Sequence, residues 1–280
     1  MGSRIVRRLA GAGYSVVAWN RTQERAKDLD ARVAATPAEA ARAADVLITI
    51  ISDPSALRAV VEGPAGIGVG ADASLTVVDM STVGPAAVSW LAGALPPETG
   101  VLDAPVLGSL SEAESGSLAI FVGGPADLVE RWTPVLSALG TPIHVGPLGS
   151  GAAAKLVANT TLFGILALLG ETIALGDALG LERTALYEVL SKTPLAAQAD
   201  RRREAIETGD VQARFSLGLA RKDANLISEA AAQAGLELPL AAAARDWLVD
   251  AETAGWGDRD YSTVLAWILK AARVPSEPSL

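Results

Sequence analysis

The pattern of apolar and polar positions changes character near residue 148. Before it, short apolar runs of strand length alternate with amphipathic stretches. Tyr14–Trp19 reads as a strand closed by the polar turn Asn20-Arg21-Thr22, and Val46–Ile51 is an almost wholly apolar one. Leu75–Met80, Val101–Ala104 and Leu118–Val122 read the same way, and Thr141–Val145 as a short strand. Ser3–Ala12 places Ile5, Val6 and Leu9 on one helical face. Thr36-Pro37-Ala38-Glu39 supplies an N-cap, a proline at the first helical position and a capping-box glutamate. Asp53-Pro54 starts another helix. Continuously apolar strands separated by helices predict a parallel sheet covered on both faces, a doubly wound, Rossmann-like α/β domain over residues 1–149.

After Gly149-Ser150-Gly151 the strand signals stop. An Ala/Leu-rich helix is predicted from Ala152 to about Leu179, roughly 40 Å long at the usual rise, too long to pack against one small domain. Further helices follow to about Lys270, with breaks near Gly180, Pro194, Gly209, Gly235 and Gly257, and Pro275–Leu280 is expected to be a loose tail. Residues 150–280 are thus expected to form an all-α substrate and dimerisation domain built on the long helix, giving a homodimer or homotetramer.

Composition narrows the chemistry. The net charge of −9 argues against nucleic acid or an anionic membrane surface as partner, because both need a basic patch. The chain has no cysteine, which removes thiol nucleophiles, disulfides and thiolate metal sites. No uninterrupted apolar run of about 18 residues appears, so no membrane span is expected, and Met1-Gly2-Ser3-Arg4-Ile5-Val6 has no long apolar h-region, so no signal peptide is expected there. The expected location is cytoplasmic. The single histidine, His144, is read as structural; no metal site is expected.

A dinucleotide-binding domain opens with a strand, then Gly-x-Gly-x-x-Gly, then a helix whose N-terminal amides hold the pyrophosphate. Here Met1-Gly2 leads straight into a helix and reads as the end of such a fingerprint. The preceding central strand is absent from the sequence, so the expectation is either a start codon assigned too late or a chain truncated at its N-terminus, with two strands each lacking a neighbour. At the end of the next strand, where an NAD enzyme carries Asp or Glu for the ribose hydroxyl, stands neutral Asn20, followed by Arg21 and Thr22. An arginine there suits a 2′-phosphate, which favours NADP(H) over NAD(H); an ordinary polar turn is the alternative.

The strongest local signal is Gly149-Ser150-Gly151-Ala152-Ala153-Ala154-Lys155-Leu156-Val157-Ala158-Asn159. Lys155 and Asn159 share one helical face. On an apolar helix near a domain boundary they are costly unless used or paired. The other reading is a lysine that snorkels to water and an asparagine that ties a loop. Asp103-Ala104-Pro105-Val106-Leu107-Gly108-Ser109 follows a strand end, where open α/β sheets bind ligands, and Ser81-Thr82 follows another. Phe215–Asp223 adds a Lys222-Asp223 pair. Arg201-Arg202-Arg203 reads as a solvated helix face, and Asp260-Tyr261-Ser262 as the cap of the last helix.

Met1-Gly2, Asp103–Ser109, Gly149–Asn159 and Lys222-Asp223, in this order, resemble the signatures of the β-hydroxyacid dehydrogenase family over essentially the whole chain. The resemblance implies that Lys155 is the acid/base and Asn159 a substrate anchor. It implies that Gly108 and Ser109 bind a substrate carboxylate through their amides, that Ile51, Ser52 and Thr82 flank the cofactor, and that Lys222 lies near the nicotinamide. Leu107 departs from the Ser-Gly-Gly of many members, so either Ser109 substitutes or the substrate differs. An imine reductase-like NADPH enzyme is the nearest alternative, although such enzymes often lack the lysine. A non-catalytic, truncated nucleotide-binding homologue is the other.

Overall fold

The computed structural model describes residues 1–272; the expected tail Pro275–Leu280 lies outside them. The chain separates into two compact units, Met1–Val157 and a second from Ala158 onward.

In the first unit the strands are β1 (Val17–Ala18), β2 (Arg32–Val33), β3 (Val46–Thr49), β4 (Thr76–Asp79), β5 (Gly100–Asp103), β6 (Val106–Leu107), β7 (Leu118–Gly123) and β8 (Gly140–Gly146). The helices are α1 (Gly2–Gly11), α2 (Glu24–Lys27), α3 (Pro37–Arg42), α4 (Pro54–Glu62), α5 (Ile67–Gly70), α6 (Pro85–Ala94), α7 (Leu110–Ser115) and α8 (Ala126–Ser137). Both predicted caps form: Thr36 Oγ1 accepts from the Glu39 amide, and Asp53 accepts from that of Ala56.

β3, β4 and β5 are parallel, as are β7 and β8. β7, however, runs antiparallel to β5 and β6, so the sheet is mixed where the apolar runs predicted a parallel one. The link from Leu107 to Leu118 is shorter than the dozen or so residues a parallel crossover needs, and the chain turns back as a hairpin. β2, too short at Arg32–Val33 to show a pattern, pairs among the described residues with β1 alone.

Period-two alternation divides the core. Val78, Met80, Leu102, Ile120 and Val122 pack on one face with Ile5 and Leu9 of α1 and Trp132 and Leu136 of α8. Val77, Leu75 and Val101 pack on the other with Leu57, Val61, Val88 and Leu91 from α4 and α6. Among the described residues no ladder joins β1 to β3. The edge shows in burial: Val46, Leu47 and Ile48 are only half-buried, whereas every residue of β4 is buried. A strand as apolar as β3 belongs between two neighbours.

The boundary between the units falls inside α9 (Ser150–Ala178), whose Ala152 is buried in the first unit's core. The second unit continues with α10 (Arg183–Leu190), α11 (Ala196–Arg201), α12 (Arg203–Thr208), α13 (Leu217–Gln233), α14 (Pro239–Ala251) and α15 (Val264–Ala271). By length and composition α9 is long and apolar enough to cross a bilayer, although Lys155, Asn159 and Glu171 interrupt its apolar run. Its Phe163, Leu166, Leu169 and Ile173 are instead buried, as in the core helix of a globular unit. Gly170 lets α15 approach: a Cβ there would lie 2.7 Å from Ile268 Cδ1.

Candidate active site

In the first unit, side chains of interest gather at the carboxyl ends of β3, β4 and β5, the edge where open α/β sheets bind ligands. Asp79 and Asp103 are register partners on neighbouring strands, and both are essentially fully buried. Burial pushes both carboxyls above their ordinary range, and Asp103 adds a small repulsion on Asp79.

Asp103 is satisfied by α9. Its Oδ1 accepts from the Gly149 amide at 2.8 Å and its Oδ2 from that of Ala152 at 2.6 Å. A buried carboxylate at the N-terminus of a long helix meets both unpaired amides and a favourable helix dipole. Gly151 makes the approach possible: a Cβ there would sit 2.4 Å from the Phe121 carbonyl oxygen and 2.6 Å from that of Asp103. The start of α9 is thereby clamped to the end of β5, and Lys155, half-buried, follows within one turn.

Asp79 organises the next two strand ends. Its Oδ1 accepts from Thr49 Oγ1 at 2.7 Å and from the Ser81 amide at 3.2 Å. Ser81 Oγ in turn accepts from the Ile51 amide at 2.8 Å. Ile51, expected with Ser52 and Thr82 to flank a cofactor, is thus tied to Ser81, the chain neighbour of Thr82. Asp79 Oδ2 makes no hydrogen bond among the described residues.

At the nucleotide end, Met1 provides no side-chain cap for α1, and the first turn, beginning at Gly2, carries no acidic residue. These unpaired amides suit an anion. Asn20 Oδ1 accepts from the Thr22 amide at 2.9 Å, holding a tight turn that leaves Arg21 exposed.

Gly108 and Ser109 lie between β6 and α7. Gly108 has φ +136, and a Cβ there would meet Leu118 Cδ2 at 2.8 Å. The Ser109 amide, expected to face a substrate, donates instead to Glu112 Oε2 at 2.7 Å. Ser109 Oγ is buried without a hydrogen-bond partner among the described residues.

In the second unit, Asn159 Nδ2 donates to Asp223 Oδ2 at 2.8 Å, and both residues are buried. Lys222 Nζ lies 2.5 Å from Asp223 Oδ1. Asn159 and Lys222, widely separated in sequence, are thus brought onto one carboxylate. Of the arginine run Arg201 and Arg203 are exposed, as expected of a solvated face, but Arg202, half-buried, donates to the Tyr261 hydroxyl, and Arg203 lies 4.0 Å over the Tyr187 ring. Asp260 Oδ1 accepts from the Ser262 amide and hydroxyl, capping the 3₁₀ turn Tyr261–Thr263 that leads into α15 rather than α15 itself, whose N-cap is Thr263. Back in the first unit, His144 Nε2 lies 3.0 Å from the Gly124 and Gly146 carbonyls, so that nitrogen carries the proton, in a structural role. Among the described residues no group of acidic, histidine or cysteine side chains could hold a metal.

Sequence reasoning quoted Asp103 without a role and missed Asp79, Thr49, Glu112 and the partner of Asn159. A carboxylate ending an apolar strand is costly unless paired, and that signal would have marked Asp79 and Asp103.

Residues 1–149 match the NAD binding domain of 6-phosphogluconate dehydrogenase, and residues 149–268 match the NAD-binding region of NADP-dependent 3-hydroxyisobutyrate dehydrogenase. The chain is 30% identical to the 3-sulfolactaldehyde reductase of Escherichia coli over 279 residues, covering 97% of this chain and 94% of the relative. Mycobacterium tuberculosis 3-hydroxyisobutyrate dehydrogenase, solved with L-serine, superposes with a TM-score of 0.85 at 26% identity, over 96% of this chain and 95% of the other. Psf3, solved with NADP+ and 2-OPP, gives 0.81 at 25% identity over 96% of each chain. With two consecutive family matches and near full-length relatives, the chain belongs to the β-hydroxyacid dehydrogenase family of NAD(P)-dependent oxidoreductases.

Proposed function

We propose that this enzyme interconverts a small β-hydroxyacid and its oxo or semialdehyde acid with NADP(H) as the preferred cofactor and Lys155 as acid/base. The observation that carries the reading is the clamp of Asp103 on Gly149 and Ala152, which fixes the start of α9 and so the base from which Lys155 projects. A proton donor held on a rigid element at a strand-end edge is what carbonyl reduction requires of a protein.

The residues present fit a phosphorylated dinucleotide. The uncapped, non-acidic start of α1 suits a pyrophosphate, and Arg21 beside uncharged Asn20 suits a 2′-phosphate where a carboxylate would repel one. Ile51, Ser52 and Thr82 would flank the cofactor, with Lys222 near its nicotinamide. When bound, a reduced nicotinamide supplies the hydride. In reduction, the Lys155 ammonium gives a proton from Nζ to the substrate's carbonyl oxygen as the carbonyl carbon becomes a hydroxyl-bearing carbon, and the amine is reprotonated by solvent. In oxidation, neutral Lys155 takes the hydroxyl proton. Gly108, Ser109 and Asn159 orient the acid end of the substrate.

The second unit also supports a homo-oligomer, because Leu168 and Leu175 on α9, with Leu179 just past its end, are largely exposed apolar side chains. Fluorescence titration with NADPH and NADH tests the cofactor assignment. Arg21→Ala should weaken NADPH binding about tenfold or more and leave NADH binding nearly unaltered. Equal losses for both nucleotides would remove Arg21 from that role, and binding of neither nucleotide to the unaltered chain would defeat the reading.

A further inference from the structure

Glu112 contributes to no role assigned so far, yet its carboxylate sits on the amide expected to receive the substrate. Oε2 accepts from the Ser109 amide at 2.7 Å and from Ser111 Oγ at 3.0 Å. Its stem lies against Gly108, where an added Cβ would be 3.0 Å from Glu112 Cβ and 3.3 Å from Cγ. The turn is half-buried. Local geometry explains the contact. Ser109 is the N-cap of α7 and Glu112 its third residue, the position from which a glutamate reaches back to the N-cap amide.

The consequence concerns what else that amide can hold. One N–H bonds one strong acceptor well, and two carboxylates on one amide would repel at close range. Glu112 is tethered three residues away, so it meets the amide at a far higher effective concentration than a free metabolite does. We propose that Glu112 is a specificity-determining residue, a built-in competitor that a substrate's carboxylate must displace from the Ser109 amide. This rests on reading Gly108-Ser109 as the turn that meets the acid end. Glu112 then weighs against short acids relative to uncharged carbonyl compounds of the same size. It also gives the departure at Leu107-Gly108-Ser109 a physical meaning: the turn carries its own carboxylate where a substrate's would go.

The test compares succinic semialdehyde with butanal, four-carbon aldehydes with and without a carboxylate, using NADPH and the full chain. The ratio of their kcat/KM values is measured for the wild type, Glu112→Gln and Glu112→Ala. Glu112→Ala frees the amide and should raise the acid-to-neutral ratio about tenfold or more, as expected for a charged acceptor gaining a donor. Glu112→Gln keeps an acceptor for the cap, and so guards against misfolding, but removes the charge; its ratio should fall between the two. A ratio that is the same or lower in Glu112→Ala overturns the proposal.

Turnover of neither aldehyde by any form would count against the dehydrogenase reading alone. Competition is then read from the Ser109 amide resonance during titration with sodium acetate. A saturable shift in Glu112→Ala that is absent in the wild type supports the proposal. An equal shift in both forms, or none in the variant, overturns it.

Discussion

The side-chain amide of Asn159 donates to Asp223 Oδ2 at 2.8 Å, and both residues are about 99% and 98% removed from solvent, at 1% and 2% exposure. An asparagine so engaged positions a buried charge before it can touch a ligand. Replacing it by alanine takes a donor from a buried carboxylate and should cost about 1–3 kcal/mol in urea unfolding. Asn159→Asp should cost more at neutral pH, because it sets two carboxylates together, and the excess should fade as acid supplies a proton to the pair. If Asn159→Ala is as stable as the parent, the pair is not doing this.

Asp103 makes the equivalent prediction for the first unit. Asp103→Ala leaves the Gly149 and Ala152 amides without their acceptor, at about 1–3 kcal/mol for each. Asp103→Asn can accept at one side-chain atom only. It should keep the fold and lower kcat by roughly tenfold or more, since a small misplacement of a proton donor is costly. The KM for NADPH should move far less. A variant with parental kcat would separate the clamp from the chemistry.

Two aspartates should give opposite pH dependences. Hydrogen bonds from Ser55, the Ala56 amide and Ser52 hold Asp53 down at about 2, below its ordinary 3.8. Its stabilisation is therefore present above pH 3.8 and is lost as pH falls towards 2. Asp53→Ala should cost about 1 kcal/mol at neutral pH, as for other helix caps, and nothing in strong acid. Burial raises Asp79, so the native state holds that proton more firmly than the unfolded chain does. Its ionisation costs stability as pH rises from 3.8 through its raised native value. Asp79→Asn should then stabilise at neutral pH, with the gain shrinking below pH 4. Urea midpoints measured from pH 2 to 8 would show either slope reversed if these assignments are wrong.

Much of this fold was legible because its signals are local. Apolar runs marked β3, β4, β5 and β7, Thr36-Pro37 and Asp53-Pro54 marked two helix starts, and glycines marked breaks among the helices. What was not legible depends on pairing. Nothing in Val106-Leu107 says that it will turn back on Leu118–Gly123, and the short ladder of β1 with Arg32–Val33 has no periodicity to read. The site divides in the same way. Lys155 and Asn159 stand out as polar residues on an apolar helix and Lys222-Asp223 as a local pair, whereas the bond from Asn159 to Asp223 is set by tertiary contact. Asp223 lies far along the chain from Asn159, as does Asp103 from Ala152. Glu112 was not singled out, although Ser109-Leu110-Ser111-Glu112 has the local spacing of a capping box.

The most direct test of the central claim is the turnover of Lys155→Ala. With an aldehyde acid and NADPH, the loss should be about 10²–10⁴-fold, the usual contribution of a positioned acid/base, while NADPH binding by fluorescence stays close to that of the parent. Turnover equal to the parent would contradict the assignment of Lys155 and, with it, the mechanism built on the Asp103 clamp.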